Sequence, residues 1–325
     1  MASQPTGDIQ AARASTGLRA RLPVLIRRVR KDPALYVMLA VPVAYFLIFH
    51  YQPMYGVLIA FKDYKINAGI LGSRWTDDFG FYHFIRFFSS NAAFRLINNT
   101  FQLSFWSIVW GFPAPIILAL LLHECRLPRF KKTVQTVTYL PHFISIVAIV
   151  GILHLLLSPR DGSINHILAL IGLERVYFMA DSGWFRPVYV ISGIWQDVGF
   201  GAIIYLAALS RASTELYEAA TVDGASRLQR IWHVSVPSLA AVAIILLILR
   251  TGSILSVGFE KVFLMQNDLN IRVSDVIQTY VYRVGLRGRE YSYATAVGLF
   301  QAVVGLILLV AVNKVSSKVS ETSLW

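Results

Sequence analysis

Six apolar runs of about twenty residues alternate with polar or aromatic segments, at roughly 35–55, 98–122, 134–157, 188–209, 238–257 and 294–313. A helix of about twenty residues crosses the ~30 Å hydrocarbon core of a bilayer. The pattern therefore predicts an all-α, polytopic membrane protein with six transmembrane helices. The intervals are uneven. Residues 1–32 are polar and then basic, with Arg19, Arg21, Arg27, Arg28, Arg30 and Lys31 set among Leu18, Leu22, Leu25, Ile26 and Val29. They form a segment separate from the transmembrane domain of 33–325. Two readings stand for it: an amphipathic stretch on an anionic leaflet, or a tail whose charges only fix orientation. Residues 56–95 are rich in Phe, Tyr and Trp, as suits a membrane–water boundary. Within the loop after the third run, 164–171 reads as a short helix.

The most informative polar interval lies between the fourth and fifth runs, at about 210–237. It reads as helix, break, helix. Ser213 is placed to cap the first helix, with Glu215 near the positive end of its dipole. Gly224 can take the left-handed conformation that ends it. Ser226 and Gln229 have capping-box spacing for a second helix, whose Leu228, Ile231 and Trp232 share a face. Pro237 is expected in the first turn of the next span, where a missing N–H is tolerated.

Composition agrees with the membrane reading. Of 325 residues, 56% are hydrophobic and 15% are charged, against about 25% charged in soluble domains. The net charge of +12 would suggest nucleic acid in a soluble chain. Here it belongs to topology and lipid headgroups, and no nucleic-acid partner is expected. With six spans, the two tails, residues 123–132 and the 210–237 interval share one side, which holds sixteen Lys/Arg and seven Asp/Glu. The opposite loops hold thirteen Lys/Arg and ten Asp/Glu over many more residues. Basic density in short loops predicts both termini in the cytoplasm. The one cysteine, Cys125, excludes an intrachain disulfide. The first apolar run lacks the position and flanks of a cleaved signal peptide. No phosphate-binding glycine loop is present, so the chain is not expected to bind or hydrolyse ATP itself.

Glu218-Ala219-Ala220, three residues, Gly224, and then Val234, Val236 and Pro237 in register resemble the EAA loop of permease subunits of type I, binding-protein-dependent ABC sugar importers. Val234 and Val236 stand where the family pattern has Ile and Leu, and Asp223 and Ala225 complete an Asp-Gly-Ala form. The resemblance continues through Asn99-Thr100, Leu140-Pro141-His142-Phe143, Trp195 before Gly199, Tyr205–Leu209, Gly258-Phe259-Glu260 and Tyr293–Phe300, which look like the oligosaccharide branch. It implies a type I importer permease fold with a cytoplasmic coupling helix, in the cytoplasmic (inner) membrane. It also implies the partners: a second, homologous permease, two ATPase subunits that hold ATP and Mg, an extracytoplasmic solute-binding protein, and an oligosaccharide. Glu218, Ala219, Ala220, Asp223, Gly224 and Pro237 would be the ATPase-coupling residues, with Glu218 facing a basic group of the ATPase. The resemblance extends to permeases for complex oligosaccharides, an alginate-oligosaccharide importer among them. The alternative class is an ion-gradient-driven transporter or channel, which has no need of this register.

Ionisable groups at membrane depth need a reason. Asp197 lies in the fourth run after Trp195 and Gln196, and Arg250 lies in the fifth. Sugar recognition uses aromatic faces and hydrogen-bonding groups around a wet cavity, so these four are the expected pathway residues. Arg250 would also suit uronate carboxylates. The competing reading is an interhelical contact, or Arg250 reaching to the outer interface. His142 and His154 have no metal-ligand partner at useful spacing and read as packing residues; no metal site and no catalytic constellation is expected. Pro113 and Pro115 are expected to kink the second span, and Glu260 lies at an outer mouth or is simply solvated.

Overall fold

The structure, a computed structural model, describes residues 33–252 and 254–320; the basic segment 1–32 lies outside them. The chain forms two compact units, one ending at Leu58 and the other starting at Ile59. The helical run α1 (Pro33–Phe61) supplies the described part of the first. It contains a π turn, Leu47–Tyr51, in which the Gln52 N–H reaches Leu47 O. Pro53 follows directly. Proline has no N–H and its ring crowds the carbonyl four residues back, so a turn widened to i→i−5 lets the helix pass it.

The second unit begins with a two-residue antiparallel hairpin, β1 (Lys62–Asp63) and β2 (Arg74–Trp75). Helix α2 (Tyr82–Phe88) leads into α3 (Asn91–Glu124). In α3 two helical stretches, Asn91–Gly111 and Pro113–Glu124, meet at Phe112, where Pro113 interrupts the ladder. The third apolar run is not one straight span. It is a pair, α4 (Pro128–Phe143) and α5 (Ile146–Leu156), bent by 105°. Pro141 lies in the tight turn Leu140–Phe143, and Ser145 restarts the helix by accepting from Ala148 N. Proline disfavours helical continuation and serine caps a new start. Helix α6 (Ser163–Leu170) matches the expected loop helix. Helices α7 (Ser182–Leu209) and α8 (Thr214–Val222) follow.

The fifth span differs from expectation at both ends. It runs as one helix, α9 (Arg227–Gly252), and so begins inside the polar interval. Pro237 is therefore deep in a helix, not in a first turn. The chain meets it as it meets Pro53: a π turn, Ile231–Ser235, precedes it, with Val236 N–H on Ile231 O. At the far end α9 stops at Gly252, and the next helix, α10 (Phe259–Met265), starts only after an irregular stretch. In that stretch Gln301 donates to Leu255 O at 2.6 Å, which satisfies a carbonyl outside any helix. Short helix α11 (Ile277–Val281) precedes the last span, α12 (Tyr291–Ser320).

One contact settles how often the chain crosses. The His123 ring, at the end of α3, lies 5.6 Å from the ring of Tyr217 in α8. Chain between those points must cross an even number of times. Helix α7 is one crossing, so α4 and α5 together make the other. With α1, α3, α9 and α12 the total is six.

Helices α3 and α7 run together and join two apolar cores. One gathers Leu103, Val150, Phe185, Val188, Val262 and Met265. The other gathers Ala119, Ala202, Tyr205, Leu209 and Leu239. Between them α4 crosses α7 at Gly199, where a Cβ would collide with the Thr138 carbonyl oxygen. No side chain fits there, which explains a glycine inside a span.

Candidate functional site

Two places carry chemistry, a lug at one end of the molecule and a cavity between the two cores. The lug is α8 with the start of α9. Its first cap differs from expectation: Ser213 has the extended backbone of an N-cap, but its side chain makes no capping bond. The break is as expected. Gly224 has φ +75°, Gly224 N donates to Thr221 O at 3.1 Å, and Ala225 N donates to Ala220 O at 2.9 Å. That pair of bonds is a Schellman ending. Ser226 and Gln229 then form the full capping box, with Ser226 N on Gln229 Oε1 at 2.7 Å. Arg230 donates to Thr221 Oγ1 at 2.9 Å and closes the hairpin.

Tyr217 holds the lug to the spans. Its hydroxyl is 2.9 Å from Oγ of Ser235, which is fully buried in α9, and its ring meets His123 of α3. The opposite face is open. Glu215, Glu218, Ala219 and Val222 are all exposed, as are Asp223, Gly224 and Pro237, while Ala220 is half-buried. Val222 is 87% exposed, and Leu228 and Trp232 are also bare. Among the described residues neither Glu218 nor Asp223 forms an ion pair.

The cavity has a volume of about 470 Å³. Gln196, Asp197 and Arg250 line it together with His142, Tyr189 and Lys261. Three of the four expected pathway residues are thus brought together. Trp195 is not among them: it faces a separate apolar cleft with Ile152, Leu156 and Trp184. Adjacent helical residues point about 100° apart; Gln196 and Asp197 fall on the cavity side of α7, and Trp195 falls on the next face. Arg250 Nη2 donates to Ser107 O at 3.4 Å. His142 is more than a packing residue. Its Nδ1 lies 3.0 Å from Asp197 Oδ1, and its ring is stacked on Phe200 at 4.0 Å. The bend between α4 and α5 puts it there. Lys261 Nζ donates to Tyr189 O at 3.1 Å and sits over the Tyr189 ring. Burial pushes the Lys261 ammonium down to about 8, against a smaller opposing pull from Asp197.

Comparison with known proteins shows which family the chain belongs to. The sequence profile of the binding-protein-dependent transport system inner membrane component matches residues 103–321. The chain belongs to that family. It is similar to the polygalacturonan/rhamnogalacturonan transport system permease protein YteP of Bacillus subtilis (strain 168), at 43% identity over 93% of each chain. Protein LplB of the same organism is 45% identical over 91% of this chain and 92% of its own. Among solved structures, a bacterial alginate ABC transporter in complex with an alginate pentasaccharide-bound periplasmic protein contains a chain that matches with a TM-score of 0.84. That chain is 43% identical, over 92% of this chain and 99% of its own.

This permease is therefore a multi-pass inner-membrane subunit of a binding-protein-dependent transporter, with a non-catalytic, membrane-spanning role. Among its described residues no cluster of His, Cys, Asp and Glu could hold a metal ion. The cavity offers a guest hydrogen-bond donors and acceptors, an aromatic face at Phe200, and more positive than negative charge. Two of its residues were hidden in the sequence. His142 sits in an apolar segment with nothing to distinguish it from packing. Lys261 falls in what reads as a solvated loop, and the glycine that opens its helix, Gly258, was the only local signal.

Proposed function

We propose that this permease translocates oligosaccharides into the cell and is driven by ATP hydrolysed on partner ATPase subunits that dock against the α8 lug. The observation that carries the reading is the lug itself: a capped hairpin, braced on two spans by Tyr217, with Glu218, Ala219 and Val222 turned outward. The lug end is then cytoplasmic, as are both termini. A second, homologous permease completes the pathway, and a solute-binding protein delivers sugar at the far end. ATP and Mg belong to the ATPases. When those close on ATP they pull on α8, and the pull reaches α9 through Tyr217–Ser235 and α3 through His123. Both permeases then turn from inward-facing to outward-facing. Small residues at 219 and 220 let a partner surface approach closely, and Glu218 offers a carboxylate to a basic group.

Uronate-containing oligosaccharides are the substrate class the cavity suits best. Gln196, Asp197 and Arg250 are its pathway groups. The similar transporters are named for polygalacturonan and rhamnogalacturonan and for alginate. The test is the assembled complex, assayed for ATPase activity with and without sugar-loaded binding protein. Gly224→Val forces a β-branched residue to positive φ, and Glu218→Lys reverses the docking charge. Losing a charge-assisted interface contact costs about 2–5 kcal/mol, more than tenfold in affinity. Both variants should insert in the membrane yet lose the ATPase subunits or the stimulation. Wild-type assembly and stimulation in both would show that α8 is not the coupling element.

A further inference from the structure

We propose that Lys261 is a carboxylate-recognising residue of the translocation cavity, acting with Arg250 to select acidic over neutral oligosaccharides. This rests on the import reading above and assigns its charge preference to particular side chains.

Lys261 is the more telling of the two cations. It is 5% exposed, yet it lines the same cavity as Asp197 and Arg250. Its two contacts, the carbonyl oxygen and the ring of Tyr189, are electron-rich but uncharged. Among the described residues it forms no ion pair. A buried ammonium without an anion is costly, and proteins ordinarily pair it or shed its proton. The cavity's acidic lining residue does not fill the role. Asp197 is engaged by His142 at 3.0 Å, and His142 is fixed in place by its stack on Phe200. An anionic guest therefore meets two cations and one resident carboxylate, Asp197, which also bonds His142. The cations are also chemically different. A lysine ammonium is a compact point charge suited to one carboxylate oxygen, whereas a guanidinium binds a carboxylate through two parallel bonds. Lys261 lies on α10, beyond the irregular stretch that ends α9, and Arg250 lies before it. The two charges thus approach the cavity from either side of that break.

The bland alternative is a tie between α10 and α7, holding Tyr189 and needing no charge. Two substitutions separate the readings. Lys261→Gln keeps a donor for the Tyr189 carbonyl and removes the charge. Lys261→Arg keeps the charge. Each is reconstituted in proteoliposomes as the complete transporter with its binding protein. Uptake is measured for a labelled uronate pentasaccharide cut from alginate or polygalacturonan, whichever the wild type accumulates. Lys65→Met, on an exposed loop, controls for a general loss of positive charge and should transport normally. The expected result is about a tenfold fall in uptake for Lys261→Gln and a fall of less than about threefold for Lys261→Arg. Normal uptake by Lys261→Gln overturns the proposal in favour of the tie. Equal losses in both variants overturn it in favour of packing. A wild type that accumulates neither pentasaccharide removes the import reading and this proposal together, so the two failures are distinguishable.

Discussion

His83 carries a proton on Nε2, because the atom 3.3 Å away is the carbonyl oxygen of Lys62, which only accepts. Its other nitrogen, Nδ1, is buried without a protein partner among the described residues. A second proton would place a charge there, and burial lowers the pKa of the ring below 6.5. The sign follows from linkage. The folded state resists protonation more than the unfolded state does, so the stabilising contribution is full above pH 6.5 and is lost as pH falls through the lowered folded value. Amide protection factors in residues 62–75, where Lys62 also donates to Ile70 O and Leu71 O, should therefore fall as pH drops below 6.5, once the intrinsic pH dependence of exchange is divided out. His83→Gln should abolish that dependence; an unchanged pH response in the variant would refute the assignment. At this scale the sequence was legible where a residue broke its surroundings. Asp197 and Arg250 stood out in apolar runs, and both reach the cavity. Trp195 failed because aromatic content says nothing about which side of a helix a ring takes. Lys261 was missed because charge in an apparent loop is unremarkable until a cavity closes over it.

Elements were legible where local bonds decide them. Gly224, Ser226 and Gln229 act within five residues of one another, so the break and the capping box could be read directly. Ser226→Ala should cost the second helix of the lug about 1 kcal/mol. Faster amide exchange at residues 227–230, with ATPase stimulation weakened but not abolished, is the expected result; unchanged exchange would mean that the cap is redundant. The bent pair α4–α5 was read as a straight span because apolar content is blind to direction. Pro141 and Ser145 were both visible, but a proline inside an apolar run is as often a mild kink as a 105° turn. The end of α9 was misplaced for a related reason. The stretch after Gly252 stays apolar, and Gln301, dozens of residues later in the chain, is what bonds the Leu255 carbonyl outside the helix.

For the whole molecule, the count of six spans was legible from run length, and the His123–Tyr217 contact independently requires α4–α5 to cross. Which end faces the cytoplasm is testable by labelling. Cysteines placed at Ser163 and at the exposed Asp268 should react with an impermeant maleimide from outside the intact cell, whereas native Cys125 should not. External labelling of Cys125 with protection of the other two would invert the orientation. The π turn before Pro237 has a consequence at this largest scale. Lug and cavity are joined by one uninterrupted helix, α9, with Ser235 at one end and Arg250 toward the other. A shaft of this kind transmits rotation as well as pull, and its two fittings have a fixed phase. The widened turn holds one residue more than a regular turn, and each residue is worth about 100° of rotation. Were the turn closed to regular spacing by losing one residue, Arg250 would swing by about that angle relative to Tyr217 and leave Ser107. Pro237 and its π turn thus set the angle at which Arg250 meets the cavity relative to the lug.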